Sequence, residues 1–294
     1  MIQSKQIAGG GGPSPSLTRE FWVNKGGNDV TGTGTNAAPF LTLAHTIAVI
    51  NALGDASTTK RYDILLGPGD WNENILLPGW TWIIGSGDVI ATRLNQTVSL
   101  DPATWSIPGP TSDVRGGFTN VLFRGAVDCD FNAANSNFGK FYCNNCWFNN
   151  GPVFNSYIGP GASGINQVFL QNCFLFAGYT QNGINMTLIN ATFINGGTIA
   201  INSVGNGSNV RAILTALGGG MDTLAPGVAI HATWTVGAPP SLNSIQIGLF
   251  SFGVGGGVVL DGAQISYQAT IDGIPVPGNV TLLNGAPAPV SLSA

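Results

Sequence analysis

The chain has 294 residues and a formal net charge of −4, and only 8% of its residues are charged while 43 are glycine. Roughly a quarter of a typical soluble chain is charged, so surface polarity here falls to Asn, Ser, Thr and the backbone, a composition of secreted, surface and virion β proteins more than of cytosolic enzymes. The absence of any Lys/Arg cluster argues against nucleic acid as a partner, and no apolar run reaches the ~18 residues of a membrane span.

In chain order, residues 1–20 read as a flexible N-terminal tether, because Gly9 to Gly12 followed by Pro13 and Pro15 cannot hold a regular element. Phe21-Trp22-Val23-Asn24 then opens a strand, and a glycine-rich loop runs from Gly26 to Thr35. From Pro39 to Leu53 the spacing of Leu43, Ile47 and Ile50, with Gly54 as a stop, predicts a helix. Tyr62 to Leu66, Pro68 to Leu77 and Trp80 to Gly87 follow as apolar strands broken by Gly and Pro.

Four pieces of this stretch share an order and spacing with a known pattern. They are Gly27-Asn28-Asp29 with Gly32-Thr33-Gly34-Thr35, then Pro39-Phe40-Leu41-Thr42, then Pro68-Gly69-Asp70-Trp71-Asn72-Glu73, and last Gly85-Ser86-Gly87. The arrangement resembles the N-terminal part of the pectin-lyase-like superfamily of right-handed parallel β-helices, and the resemblance spans about residues 21 to 205. It implies a helix that caps the open end of the coil, which protects unpaired strand edges. It implies little about activity, since the superfamily includes lyases, hydrolases, epimerases, viral tailspikes and adhesins.

Further along, Phe141 to Cys146, Val168 to Cys173 and Met186 to Ala191 repeat an apolar strand, an Asn and a small residue; Val121 to Ala126 fits the frame with Gly125 in place of Asn. Aligning Gly125, Asn145, Asn172 and Asn190 gives offsets of roughly 18 to 27 residues, a solenoid period. Asn and Gly suit a left-handed corner, and the small residues Ala126, Cys146, Cys173 and Ala191 are expected to stack inward. Beyond Gly207 strict alternation takes over, as in Ile230 to Val236 and Gln264 to Ile271, which predicts half-exposed antiparallel strands. The expected fold is all-β: a right-handed parallel β-helix over 21–207 with an N-terminal capping helix, followed by a smaller antiparallel β-sandwich-like domain over 208–294.

Candidate chemistry is sparse. If Cys129 points inward, Asp128 and Asp130 share an outward face; with Arg124, and with Arg115 and Lys140 on neighbouring turns, they form the catalytic set that cleavage of an acidic polysaccharide needs. Only that enzymatic reading calls for a cofactor, calcium; otherwise no cofactor or metal is expected. Asp70 and Glu73 lie in the motif shared with the superfamily, where a local hydrogen-bonding role fits better than catalysis. Cys129, Cys143, Cys146 and Cys173 read as buried thiols, since no second Cys-x-x-Cys and no nearby His completes a zinc site. Trp71, Trp80, Trp82 and Trp147 are candidates for stacking on sugars, against the alternative of core filling.

The expected function is a structural or adhesive rod on a virion or extracellular surface, without catalysis, attached to other surface proteins by its tether. Resemblance to viral fibres implies a homotrimer. Two alternatives stand beside it: a polysaccharide lyase or glycoside hydrolase, and a glycan-binding module without turnover.

Overall fold

The computed structural model describes residues 17–105, 113–131, 138–156, 166–176 and 179–182, and beyond these the backbone of the strands between 186 and 293. The described residues are mainly strand. Strand β1 (Leu17–Val23) precedes helix α1 (Leu43–Leu53), after which the chain repeats a group of three strands. The first group is β2 (Lys60–Leu66), β3 (Gly69–Trp71) and β4 (Ile75–Leu77); the second is β5 (Thr81–Gly85), β6 (Thr92–Leu94) and β7 (Val98–Leu100). A short helix α2 (Pro102–Trp105) intervenes before β8 (Asp113–Thr119), β9 (Leu122–Phe123) and β10 (Asp128–Phe131). Next come β11 (Phe138–Asn144), β12 (Trp147–Phe148) and β13 (Val153–Ser156), then β14 (Gln167–Gln171), β15 (Phe174–Leu175) and β16 (Tyr179–Asn182). The last full group is β17 (Met186–Asn190), β18 (Phe193–Ile194) and β19 (Thr198–Val204). Seven strands follow: β20 (Ile213–Ala216), β21 (Ala229–Thr235), β22 (Asn243–Leu249), β23 (Gly257–Asp261), β24 (Tyr267–Asp272), β25 (Val280–Leu283) and β26 (Ser291–Ser293).

Each strand pairs in parallel with its counterpart one group away. The first sheet runs β1-β2-β5-β8-β11-β14-β17, the second β3-β6-β9-β12-β15-β18, and the third β10-β13-β16-β19-β21-β23-β25, while β4 and β7 pair separately. A bridge from Val98 to Val127 brings β7 up to the start of the third sheet.

The expectation for residues 208–294 is corrected here: their strands are parallel, not antiparallel. β19 pairs with β21 in register across the predicted boundary, β21 with β23 and β23 with β25, and β20, β22, β24 and β26 form a further parallel sheet. Alternation with period two reports one buried and one exposed face, and parallel strands with a solvated outer face give the same signal. The tether is corrected too, because residues 17–20 belong to β1 and pair with Lys60 to Asp63 of β2. The rest of the predicted tether, residues 1–16, lies outside the described residues.

The inner faces make one core. In the first sheet Ile64, Ile83, Phe118, Cys143 and Leu170 occupy one in-register column, and in the second Trp71, Leu94, Phe123, Phe148 and Leu175 occupy another, all buried. Phe123 and Phe148 stack with ring centres 4.7 Å apart. Each such ring contributes roughly 1.5–3 kcal/mol by burial alone.

The corners sit at Asn120, Asn145 and Asn172, each with φ between 52° and 56°, the left-handed region that Asn tolerates. Register makes Asn120, and not Gly125, the equivalent of Asn145, because Asn144 pairs with Thr119. Asn190 pairs with Gln171, the residue before a corner, so it leaves the predicted set as well. Behind the corners Val121, Cys146 and Cys173 are buried, whereas Ala126 is exposed. The Asn145 amide donates to Oδ1 of Asn120, one rung of the expected amide ladder.

Candidate functional site

The polar residues of the N-terminal motifs converge on the start of α1. Oδ1 of Asp29 accepts from the amides of Leu41 (2.7 Å) and Thr42 (3.1 Å), and Oδ2 accepts from the Thr42 hydroxyl (2.6 Å). Thr42 is the N-cap and its hydroxyl accepts from His45 N. Glu73 reaches from the loop between β3 and β4 to accept from the amides of Leu43 and Ala44. Two carboxylates thus meet amides that have no partner within the helix. Burial pushes the Asp29 carboxyl up, but the hydrogen bonds from Thr42 and Leu41 outweigh it and the net shift is downward. The helix ends where Gly54 adopts φ 61° and donates to Ile50 O, and it buries Leu43, Ile47 and Ile50. Asp70, in the same motif, pairs with Arg93 on β6, whose Nη2 lies 3.0 Å from Oδ2.

Asp128 and Asp130 are both exposed on β10, with Cys129 fully buried between them, the alternation the sequence predicts. Burial raises the Asp128 carboxyl and the charge of Asp130 raises it further. Asp130 accepts from Asn155 Nδ2 at 2.7 Å. The cations of the predicted catalytic set lie elsewhere. Arg124 follows β9 and its Nη1 is 3.5 Å from Asp70 Oδ1, while Arg115 and Lys140 belong to the first sheet, away from the third. Among the described residues no group of three His, Cys, Asp or Glu is placed to hold a metal ion, and no helix is long and apolar enough to cross a membrane.

Two of the four candidate tryptophans are corrected to core residues. Trp71 is fully buried, donates its Nε1 proton to Gly67 O at 3.1 Å and carries Lys25 Nζ 3.7 Å from its ring centre. Trp80 is only 6% exposed, at a corner with φ 60°. Trp80 directly follows Pro78-Gly79 and Trp71 stands two residues after Gly69, and that context does not separate an inward ring from an outward one. Trp82 and Trp147 remain half-exposed, on the outer faces of the first and second sheets respectively.

The outer face of the first sheet sets Trp82, a sugar-stacking candidate from the sequence, in line with two aromatic residues that the sequence did not single out, Tyr142 and Phe169. Trp82, Gly117, Tyr142 and Phe169 form one in-register column. The rings of Tyr142 and Phe169 stack at 4.7 Å with 7° between their planes, and the Arg61 guanidinium lies 4.4 Å from the Trp82 ring centre. Beside this column Arg115 stands opposite Lys140; on the other flank Thr119, Asn144 and Gln171 line up. Pairing register, which needs the corner positions first, is the signal that assembles these residues.

The four thiols are free and buried. Burial pushes Cys143 up to about 11 and raises Cys129, Cys146 and Cys173 well above their ordinary value, so none is a reactive thiolate. Comparison with known proteins finds no matching family model, no matching curated protein and no matching solved structure.

Proposed function

We propose that the chain is a right-handed parallel β-helix that serves as a structural or adhesive rod on a virion or extracellular surface, without catalytic turnover. One observation carries this reading: three strands recur in the same order from β2 through β19, and each pairs in parallel with its counterpart in the next group, save that β7 meets the start of the third sheet only through the parallel bridge from Val98 to Val127. A chain that visits three parallel sheets in turn builds length by repetition, and each turn buries its apolar face on its neighbours. The charged residues support it as well. Asp29 and Glu73 are committed to the cap of α1, Asp70 to Arg93 and Arg124, and no cation partners the exposed pair on β10 among the described contacts.

Self-association as a homotrimer and attachment through the N-terminal segment belong to the same proposal. Small-angle scattering with sedimentation equilibrium tests it: an elongated particle at three times the chain mass is expected, and a compact monomer overturns it. A product assay on acidic and neutral polysaccharides, with and without calcium, separates the enzymatic alternative. No cleavage is expected; cleavage that is lost in an Asp128→Asn/Asp130→Asn double variant would establish a lyase or hydrolase on the third sheet instead.

A further inference from the structure

We propose that Cys146 and Cys173 join in a disulfide that staples two successive turns of the chain when it folds in an oxidising environment. Pairing register fixes the two residues opposite each other. Asn144 pairs with Gln171 and Trp147 with Phe174, which leaves Asn145-Cys146 facing Asn172-Cys173 at a corner where the two asparagines have the same conformation (φ 52° and 53°). Backbone hydrogen bonds on either side hold the turns together: Asn145 N donates to Gln171 O at 2.8 Å, and Phe174 N donates to Cys146 O at 2.9 Å. Neighbouring strands are about 4.8 Å apart, inside the roughly 4.4–6.8 Å between Cα atoms that a disulfide spans. Bridging therefore asks for side-chain rotation and no movement of the backbone. Both residues are free thiols turned into the core, fully buried, and Cys146 is in hydrogen-bonding contact with Cys173.

Of the four cysteines, only these two stand opposite each other. Cys129 faces Phe154, and Cys143 faces Phe118 and Leu170. Cys143 also touches Cys146, but within one turn, where a bond would constrain little; a bond from Cys146 to Cys173 closes a loop of about 27 residues and links successive turns. Forming it moves two electrons to a disulfide oxidant. One cysteine thiolate attacks a sulfur of that oxidant and expels a thiolate. The second attacks the first cysteine's sulfur in the mixed disulfide and expels the other, so the oxidant leaves as two thiols that carry the two protons. In the folded chain burial disfavours both thiolates, so the step belongs to folding, before the second turn closes on the first. An oxidising environment is what an extracellular surface supplies, and the staple rests on that part of the proposed function for its oxidant.

The test compares the full chain directed to the bacterial periplasm with the same chain made in the cytoplasm, each alkylated in denaturant and weighed by mass spectrometry. The periplasmic chain is expected to retain only the thiols of Cys129 and Cys143 and to yield a linked Cys146–Cys173 peptide; the cytoplasmic chain is expected to be alkylated at every cysteine. The stapled form should have an unfolding constant about 100-fold smaller than the reduced form, read as a higher urea midpoint. Cys143→Ala should keep the staple and Cys146→Ala should lose it; the parent, unfolded with and without reductant, carries the stability comparison even where a variant does not fold. A periplasmic chain alkylated at every cysteine, a bond to Cys143 or Cys129, or a stapled form no more stable than the reduced one each overturns the proposal. So does ready crosslinking of the folded cytoplasmic chain by diamide, which would place the step after folding. An elongated trimer without the bond sinks the staple and leaves the rod; a stapled compact monomer sinks the rod and leaves the staple.

Discussion

Two pairs of carboxylates in this protein have the same chemistry and opposite circumstances. Asp29 and Glu73 accept backbone amides and a hydroxyl at the start of α1, and hydrogen bonding holds Asp29 below its ordinary range. Asp128 and Asp130 stand side by side on an exposed face, where partial burial and mutual repulsion push Asp128 up. A carboxylate stabilises where donors have been arranged for it and costs stability where they have not. Sequence proximity to a motif therefore says less about catalysis here than the number of donors each oxygen meets.

The largest effect expected from breaking the comparison is at Asp29. Asp29→Ala leaves the amides of Leu41 and Thr42 without their acceptor and frees the N-cap hydroxyl, at a cost of about 3 kcal/mol, read as a lower urea midpoint with unchanged m. Glu73→Ala, which removes a contact to only the first helical amides, should cost about 1 kcal/mol. Equal losses at the two positions would show that the motif does not act through the helix start.

Acid sharpens the same contrast. A carboxyl held low in the folded state adds stability above its unfolded value of ~3.9, and that stability is lost as pH falls through the folded value. The Asp29 contribution is thus complete at neutral pH and disappears only below about pH 4. Unfolding midpoints measured from pH 7 to 2 should fall less steeply in Asp29→Asn than in the parent over that acid range, because the variant has already lost the term.

Much of this was legible from residues alone. The helix was, since Leu43, Ile47, Ile50 and Gly54 encode its inner stripe and its end within one short window. So was the outward orientation of Asp128 and Asp130, which needs only strand alternation. The corner set was not: Gly125 resembles a corner residue in isolation, and only pairing of Asn144 with Thr119 reveals that Asn120 takes the place. Strand direction after Gly207 was not legible either, because alternation is blind to whether the neighbour runs parallel. The aromatic column of Trp82, Tyr142 and Phe169 draws one residue from each of three distant strands, and no local pattern joins them.

The smallest effect is at Asp128, and its sign is what matters. With the folded value raised, the carboxyl favours the folded state below its unfolded value of ~3.9, and that advantage is lost as pH rises through the folded value. At pH 7 the charged Asp128 is a net cost, so Asp128→Asn should raise the thermal midpoint slightly, by no more than ~0.5 kcal/mol for an exposed side chain. The gain should vanish below pH 4, where the parent carboxyl is neutral too, and it should shrink in an Asp130→Asn background, because the neighbouring charge is part of its cause. Destabilisation at pH 7 would instead mean that Asp128 has donors of its own, as Asp29 does, and would move the β10 pair from the exposed class to the structural one. A functional site often keeps a carboxylate at some expense in stability; a positive midpoint shift is the result that would justify returning to Asp128 and Asp130 with substrates.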